Sequence, residues 1–138
     1  MKPAQALLVA SAAIILALGL VHLLYTFTGT KLTPRDPALQ AQMRQVSPVL
    51  TRRTSMWKAW IGFNASHSLG AILFGLVYGH LALAHPAFLF QSRFLLAVGL
   101  AFLCSYAALG RAYWFSVPNT GIALSLAAYV VGSVSALL

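Results

Sequence analysis

Four apolar stretches alternate with polar connections along the chain. Each stretch holds about 20 residues or more, which is the length that a helix needs to cross roughly 30 Å of hydrocarbon. The stretches are rich in Ala and Leu and lack the alternating pattern of barrel strands, so we predict helices. The predicted spans cover about 4–28, 59–84, 93–115 and 118–138, within a single membrane domain of residues 1–138.

The connection between the first two spans, about residues 29–57, has a pattern of its own. Asp36 and Pro37 suit the N-cap and the first position of a helix. Pro48 interrupts the pattern that follows, so the helix must be short. We predict an amphipathic helix whose apolar face either lies among lipid headgroups or packs on the other helices. Its apolar residues recur at spacings of four, three and four: Leu39, Met43, Val46 and Leu50.

The composition supports this interpretation and excludes several kinds of chemistry. The chain is 60% hydrophobic and 7% charged, whereas a soluble domain carries about 25% charged residues. Its one acidic residue, Asp36, cannot form the paired carboxylates of acid–base hydrolysis or an intramembrane ion site. The single cysteine, Cys104, excludes an intrachain disulfide and a thiolate metal site. We therefore expect an all-α polytopic membrane protein, a bundle of four transmembrane helices.

The basic residues are distributed unevenly between the two sides of the predicted spans. Lys2 and Arg93 lie on one side, and Arg111 lies near the other. The positive-inside rule then predicts that the long loop is cytoplasmic and both termini are outside. The net charge of +8 indicates membrane lipids as partners and not nucleic acid, because basic residues near a membrane attract anionic headgroups. Six basic residues lie in or beside the long loop: Lys31, Arg35, Arg44, Arg52, Arg53 and Lys58.

Polar side chains within the spans are few, and such groups are functional candidates because burying them in lipid is costly. Trp60 and Tyr113 could form a rim around them. The alternative is a purely structural role, in which the Arg111 side chain extends to the membrane interface and the other polar groups join helices by hydrogen bonds. No metal site is predicted, and no residue can be assigned as catalytic. Counted at 1.5 Å per residue, four polar groups fall roughly 6 to 12 Å from the long-loop side: His22, Asn64, His67 and Arg111.

The second span carries the run Gly62-Phe63-Asn64-Ala65-Ser66-His67-Ser68-Leu69-Gly70. This stretch resembles one found early in the second helix of a group of small bacterial four-span membrane proteins, with the pattern G-F-N-x-S-H-x-x-G. The resemblance implies a four-span fold in a bacterial inner membrane, and it implies no reaction. It adds weight to Asn64 and His67 as candidate residues.

Three functions remain open. The first, which we favour, is an accessory or assembly subunit of a larger membrane complex, or a self-associating bundle, without catalysis of its own. Small residues on the second span, such as Gly62 and Gly70, support this because they let membrane helices approach closely. The second is a site for a lipid-like, quinone-like or anionic amphipathic ligand, with an isomerase as a special case. The third is a b-type haem protein with His22 and His67 as axial ligands.

The predicted orientation can be tested with reporter fusions. A reporter that works only in the cytoplasm should be active near Arg44, because the basic loop is retained there. The same reporter fused after Leu138 should be silent, and a reporter that works only outside should be active at that position. Cytoplasmic activity after Leu138 would overturn the predicted topology.

Overall fold

A computed structural model describes residues 1–137, which form six helices and no strand. Four of these helices are long and apolar enough to cross a membrane. The predicted fold class, an all-α membrane protein with four spans and a short helix in the first loop, is therefore confirmed. The predicted end of the fourth span, Leu138, lies outside the described residues. The helices are α1 (Pro3–Phe27), α2 (Pro37–Gln45), α3 (Met56–Ala84), α4 (Pro86–Gln91), α5 (Arg93–Tyr113) and α6 (Ser116–Leu137).

Capping side chains explain where the helices begin. The Asp36 carboxylate accepts a hydrogen bond from the Ala38 amide at 2.8 Å, so α2 starts at Pro37 as predicted. The Ser55 hydroxyl accepts from the Lys58 amide at 3.4 Å, and α3 therefore begins three residues before the predicted start at 59. The fourth span was predicted to begin at about residue 118, but α6 begins at Ser116. Pro118 is tolerated there because the amides in the first turn of a helix have no partner within the helix.

The apolar residues of α2 do not pack into the protein. Leu39 is exposed, and Met43 is only half-buried. The helix ends at Gln45, so the predicted pattern through Val46 and Leu50 was too long: Val46 is the extended C-cap and is exposed. The next apolar residues of the loop, Val49 and Leu50, are almost fully exposed. Of the two predicted environments for this amphipathic segment, the exposed surface favours contact with the headgroup region.

A short helix that the sequence pattern did not predict, α4, lies between the second and third spans. Pro86 occupies its first turn, where a proline costs nothing. Leu89 is its buried residue, with 0% exposure. Ser92 then ends α4 and caps α5, because its hydroxyl accepts a hydrogen bond from the Leu95 amide at 3.2 Å.

The chain forms two compact units. The four-helix unit contains residues 1–18 and the described residues from 71 onward, and the loop unit contains residues 19–70. The four-helix unit is named for its four membrane-spanning segments, which are the first part of α1, the last part of α3, α5 and α6; it also holds the short helix α4. The loop unit holds the end of α1, the long loop with α2, and the first part of α3.

In the four-helix unit, α1 packs closely on α3 and on α6 where glycines replace larger side chains. A Cβ atom at Gly75 would lie 2.6 Å from the Leu16 Cβ and 2.9 Å from the Ala12 carbonyl oxygen. A Cβ at Gly132 would lie 2.9 Å from the Ala4 carbonyl oxygen. These distances allow no side chain, so both glycines are required for the close approach of the helices.

Two buried serines add a polar link between α1 and α6 in the same unit. The Ser125 hydroxyl donates to the Ser11 carbonyl oxygen at 3.0 Å. The Ser11 hydroxyl therefore donates to the Ser125 oxygen, which lies 2.8 Å away. Both side chains are fully buried, and each donor is satisfied.

Aromatic side chains join α5 to its two neighbours. Phe74 on α3 stacks on Phe102 with ring centroids 4.7 Å apart. The Tyr78 hydroxyl of α3 donates to the Leu95 carbonyl at 2.7 Å, and the Tyr129 hydroxyl of α6 donates to the Leu96 carbonyl at 3.0 Å. Together with the glycine contacts, these pairs close the unit into a ring of helices in the order α1, α3, α5, α6.

The role of Gly75 can be tested against a matched glycine of the same helix. Gly75→Ala should lower the free energy of unfolding by about 1–3 kcal/mol, because the added methyl group overpacks a contact that has no space for it. Gly62→Ala should leave stability unchanged or raise it, since a Cβ at Gly62 meets nothing within 4 Å. Thermal unfolding in detergent measures both. Equal stability of the two variants would contradict the close packing of α1 on α3.

Candidate functional site

The loop unit is held together by hydrogen bonds that fold the long loop back onto the helix ends. Gly29 reverses the chain directly after α1 with a φ of +73°, a conformation that favours glycine. The Trp60 indole N–H on α3 donates to the Leu32 carbonyl at 2.9 Å. The Met56 amide donates to the Val46 carbonyl at 2.8 Å, which ties the end of α2 to the start of α3. The loop is therefore an ordered part of this unit.

Three of the predicted site residues lie in contact within the loop unit, and we call them the polar trio: His22 on α1, and Asn64 and His67 on α3. The His22 Nε2 and Asn64 Oδ1 atoms are 3.0 Å apart. The rings of His22 and His67 meet edge to face, with centroids 5.3 Å apart and an interplanar angle of 69°. Asn64 is buried, whereas both histidines are half-buried.

The hydrogen bonds of Asn64 determine the direction of its contact with His22. The Asn64 Nδ2 group donates to the Trp60 carbonyl at 2.8 Å, so Oδ1 is the acceptor toward His22. His22 must then donate through Nε2–H. The trio thus combines imidazole rings and a carboxamide inside membrane-spanning helices. Such a group can bind a polar atom of a ligand or hold two helices together.

Neighbouring hydroxyl groups bond to the backbone of the trio. Thr26 donates to the His22 carbonyl at 2.8 Å, and Ser68 donates to the Asn64 carbonyl at 2.9 Å. These bonds within one helix satisfy hydroxyls that lipid could not solvate. They also leave the side chains of His22 and Asn64 to make the contact between α1 and α3.

The other predicted site residues occupy different positions. Trp60 lies one turn before Asn64, is 41% exposed, and is joined to Asn64 through its own carbonyl. Arg111 and Tyr113 belong to the last turn of α5 in the four-helix unit, and both side chains are exposed. The structure therefore groups Trp60 with the trio in the loop unit and places Arg111 with Tyr113 in the other unit.

The geometry of the trio differs from that of a haem ligand pair. Axial histidines lie on opposite faces of the macrocycle, which separates their rings. Here the two rings contact each other, and the His22 Nε2 atom is engaged with Asn64. Among residues 1–137, no three His, Cys, Asp or Glu side chains form a group that could hold a metal ion.

A cavity in the loop unit was not predicted from the sequence. This loop cavity has a volume of about 380 Å³ and lies where the ends of α1 and α3 meet the folded loop. Its lining residues come from three separate stretches of the chain, 25–33, 40–44 and 57–61, so no spacing in the sequence indicates it. The polar and aromatic part of the lining consists of Tyr25, Thr26, Phe27, Thr30, Thr33, Gln40, Arg44 and Trp57.

A second unpredicted feature is a line of small residues on the outer face of α5. These residues are exposed, and they follow one another at spacings of four, four, three and four. Cys104 is also exposed and lies beside the line. We call this surface the α5 ridge: Ala97, Ala101, Ser105, Ala108 and Ala112.

Comparison of the chain with protein-family models, with curated proteins and with solved structures gives no significant match.

A double-mutant cycle tests the contact between His22 and Asn64. His22→Phe keeps a ring without nitrogens, and Asn64→Leu keeps the size without the amide. Each substitution should lower the free energy of unfolding in detergent. The loss in the double variant should be about 0.6–1.7 kcal/mol smaller than the sum of the two single losses, as measured for hydrogen bonds between membrane helices.

The control pairs His22→Phe with Ser66→Ala, since the exposed Ser66 hydroxyl bonds only to the Phe63 carbonyl of its own helix. This pair should be additive. Additivity of the His22 and Asn64 variants as well would show that the trio does not hold the helices together and would favour a ligand site.

Proposed function

We propose that this protein is a non-catalytic subunit of a membrane assembly and that it associates with a second copy of itself through the α5 ridge. The observation that carries the proposal is the continuous exposure of five small residues along one face of a membrane-spanning helix. Membrane helices associate by close packing of small residues, because lipid tails provide no hydrophobic driving force between helices.

The residues beside the α5 ridge are large, in contrast to the small residues of the ridge itself. Phe94, Val98 and Leu109 are large, apolar and exposed, as expected for positions in contact with lipid. The serine of the ridge fits a helix contact as well, because the Ser105 hydroxyl already donates to the Ala101 carbonyl at 2.8 Å. A partner helix can therefore approach the ridge without leaving a polar group unsatisfied.

Two glycines of other membrane-spanning helices are used within the chain. Gly75 and Gly132 lie in the contacts of α1 with α3 and α6. They are therefore not open to a second chain. The α5 ridge takes their place as the surface on which association depends.

We also propose that the protein resides in a bacterial inner membrane with the long loop in the cytoplasm and both termini outside. The excess of basic residues in the loop supports this orientation. The resemblance of the segment from Gly62 to Gly70 to small bacterial membrane proteins supports the location.

The polar trio favours a second candidate function, a site for a lipid-like, quinone-like or anionic amphipathic ligand. Two imidazole rings and a buried amide in contact within spanning helices are costly unless they bind something or each other. An isomerase would be a special case, with His22 or His67 transferring a proton. The double-mutant cycle described above separates this candidate from a purely structural trio.

The single cysteine provides the test of self-association. In a twofold dimer about the membrane normal, each residue of a parallel helix pair lies opposite its own copy. Oxidation of membranes containing the native chain should therefore link Cys104 to Cys104, because a disulfide needs Cα atoms roughly 4.4–6.8 Å apart. Ala101→Leu should reduce the linked product severalfold by forcing the helices apart.

The matched control moves the cysteine to an exposed position on α1 by combining Cys104→Ser with Ala17→Cys. This variant should give little linked product under the same oxidation. Equal linking of both proteins would indicate random collision, and a monomer by native mass spectrometry would contradict the proposal.

A further inference from the structure

We propose that the loop cavity is a binding site for a phosphate group, held by Arg44 with Lys31 beside it. The ligand chemistry is a phosphate mono- or diester at the membrane surface, which either a lipid headgroup or a free phosphate could supply. This site differs in its residues from the polar trio and does not depend on self-association.

Two cations contact aromatic rings that form part of the cavity wall: Arg44, which itself lines the cavity, and Lys31, which does not line it but contacts the Tyr25 ring. The Arg44 guanidinium carbon lies 5.0 Å from the centroid of the Trp57 ring. The Lys31 ammonium lies 4.4 Å from the centroid of the Tyr25 ring and donates to its hydroxyl oxygen at 3.1 Å. Because these contacts already restrict both long side chains, less conformational entropy is lost when an anion binds.

The chain cannot neutralise these cations with its own carboxylates. It has nine Lys and Arg residues and one acidic residue, Asp36. The Asp36 carboxylate accepts the amide of Ala38 and caps α2. The counter-charge for the loop must therefore come from outside the chain, and an anion in the loop cavity would supply it.

The remaining polar lining suits phosphate oxygens. The Thr30 hydroxyl and the Gln40 carboxamide line the cavity and make no hydrogen bond to another of residues 1–137. The Thr33 hydroxyl donates to the Thr30 carbonyl, which fixes this side of the wall. The guanidinium of Arg44 can donate two parallel hydrogen bonds to one phosphate, a geometry that a lysine cannot provide.

The position of the cavity favours a lipid as the source of the phosphate. It lies at the ends of two membrane-spanning helices, where tryptophan and tyrosine mark the headgroup level. Apolar residues, including Phe27 and Ile61, also line it and could contact the glycerol and the first part of an acyl chain. A volume of about 380 Å³ lies within the range of ligand pockets.

The test compares variants that change the net charge equally. The full chain in detergent is titrated with dioleoylphosphatidylglycerol, with dioleoylphosphatidylcholine and with inorganic phosphate, and bound molecules are counted by native mass spectrometry. Arg44→Gln should weaken binding of phosphatidylglycerol about tenfold, as expected for the loss of a charged hydrogen-bond pair. Arg52→Gln, at an exposed position in the same loop outside the cavity, should change it less than twofold.

Two further variants separate the contributions. Arg44→Lys keeps the charge but loses the forked donor, so it should recover only part of the affinity. Thr30→Val removes the hydroxyl without changing charge and should weaken binding severalfold. Saturation by inorganic phosphate at the same concentration would identify free phosphate as the source, and exclusive binding of phosphatidylglycerol would identify the lipid.

Either of two results would overturn the proposal. Equal losses in Arg44→Gln and Arg52→Gln would mean that the loop attracts anions only through its overall charge. Unchanged binding of both phospholipids and of inorganic phosphate in Arg44→Gln would mean that Arg44 does not hold a phosphate in the cavity. Neither result bears on the cross-linking of Cys104, so the two proposals fail independently.

Discussion

Hydrocarbon offers no hydrogen bonds, so each polar group within a membrane span must find its partner in the protein. This constraint determines where the helices meet. Ser11 bonds to Ser125 between α1 and α6, and Tyr78 and Tyr129 bond to carbonyls of α5. In the loop unit, His22 bonds to Asn64 between α1 and α3. Each contact between neighbouring helices thus has at least one hydrogen bond or one glycine that fixes its position.

Glycines and hydrogen bonds act together at these contacts. Gly99 on α5 lies directly against the Tyr129 hydroxyl, and a Cβ atom there would also come within 2.7 Å of the Tyr78 ring. Without that space neither tyrosine could reach a carbonyl of α5, and two buried hydroxyls would lose their partners. The cost of an unsatisfied hydroxyl, about 1–3 kcal/mol, exceeds the helix propensity that a glycine sacrifices.

The sequence predicted the spans well because length and hydropathy decide them, and it predicted α2 because Asp36 and Pro37 form a local signal. It also placed His22, Asn64 and His67 at similar depth, and the structure brings these three side chains into contact. The loop cavity could not be predicted, because its walls come from segments that only tertiary folding brings together. The helix α4 was missed because six residues are too few to give a periodic pattern.

The segment from Gly62 to Gly70 shows how one short run can serve two environments. Asn64 and Ser68 are four residues apart and both buried, and the hydroxyl of Ser68 bonds to the carbonyl of Asn64. Gly62 and Ser66 share the same spacing on another face, and both are exposed. The inner face therefore carries the polar contact with α1, while the outer face is small and has no neighbour within 4 Å at Gly62. Since helical periodicity alone produces both faces, the presence of small and polar residues in one run does not identify a site. The contact between His22 and Asn64 gives the inner face its structural role, because it places a hydrogen bond between two spans where lipid offers none.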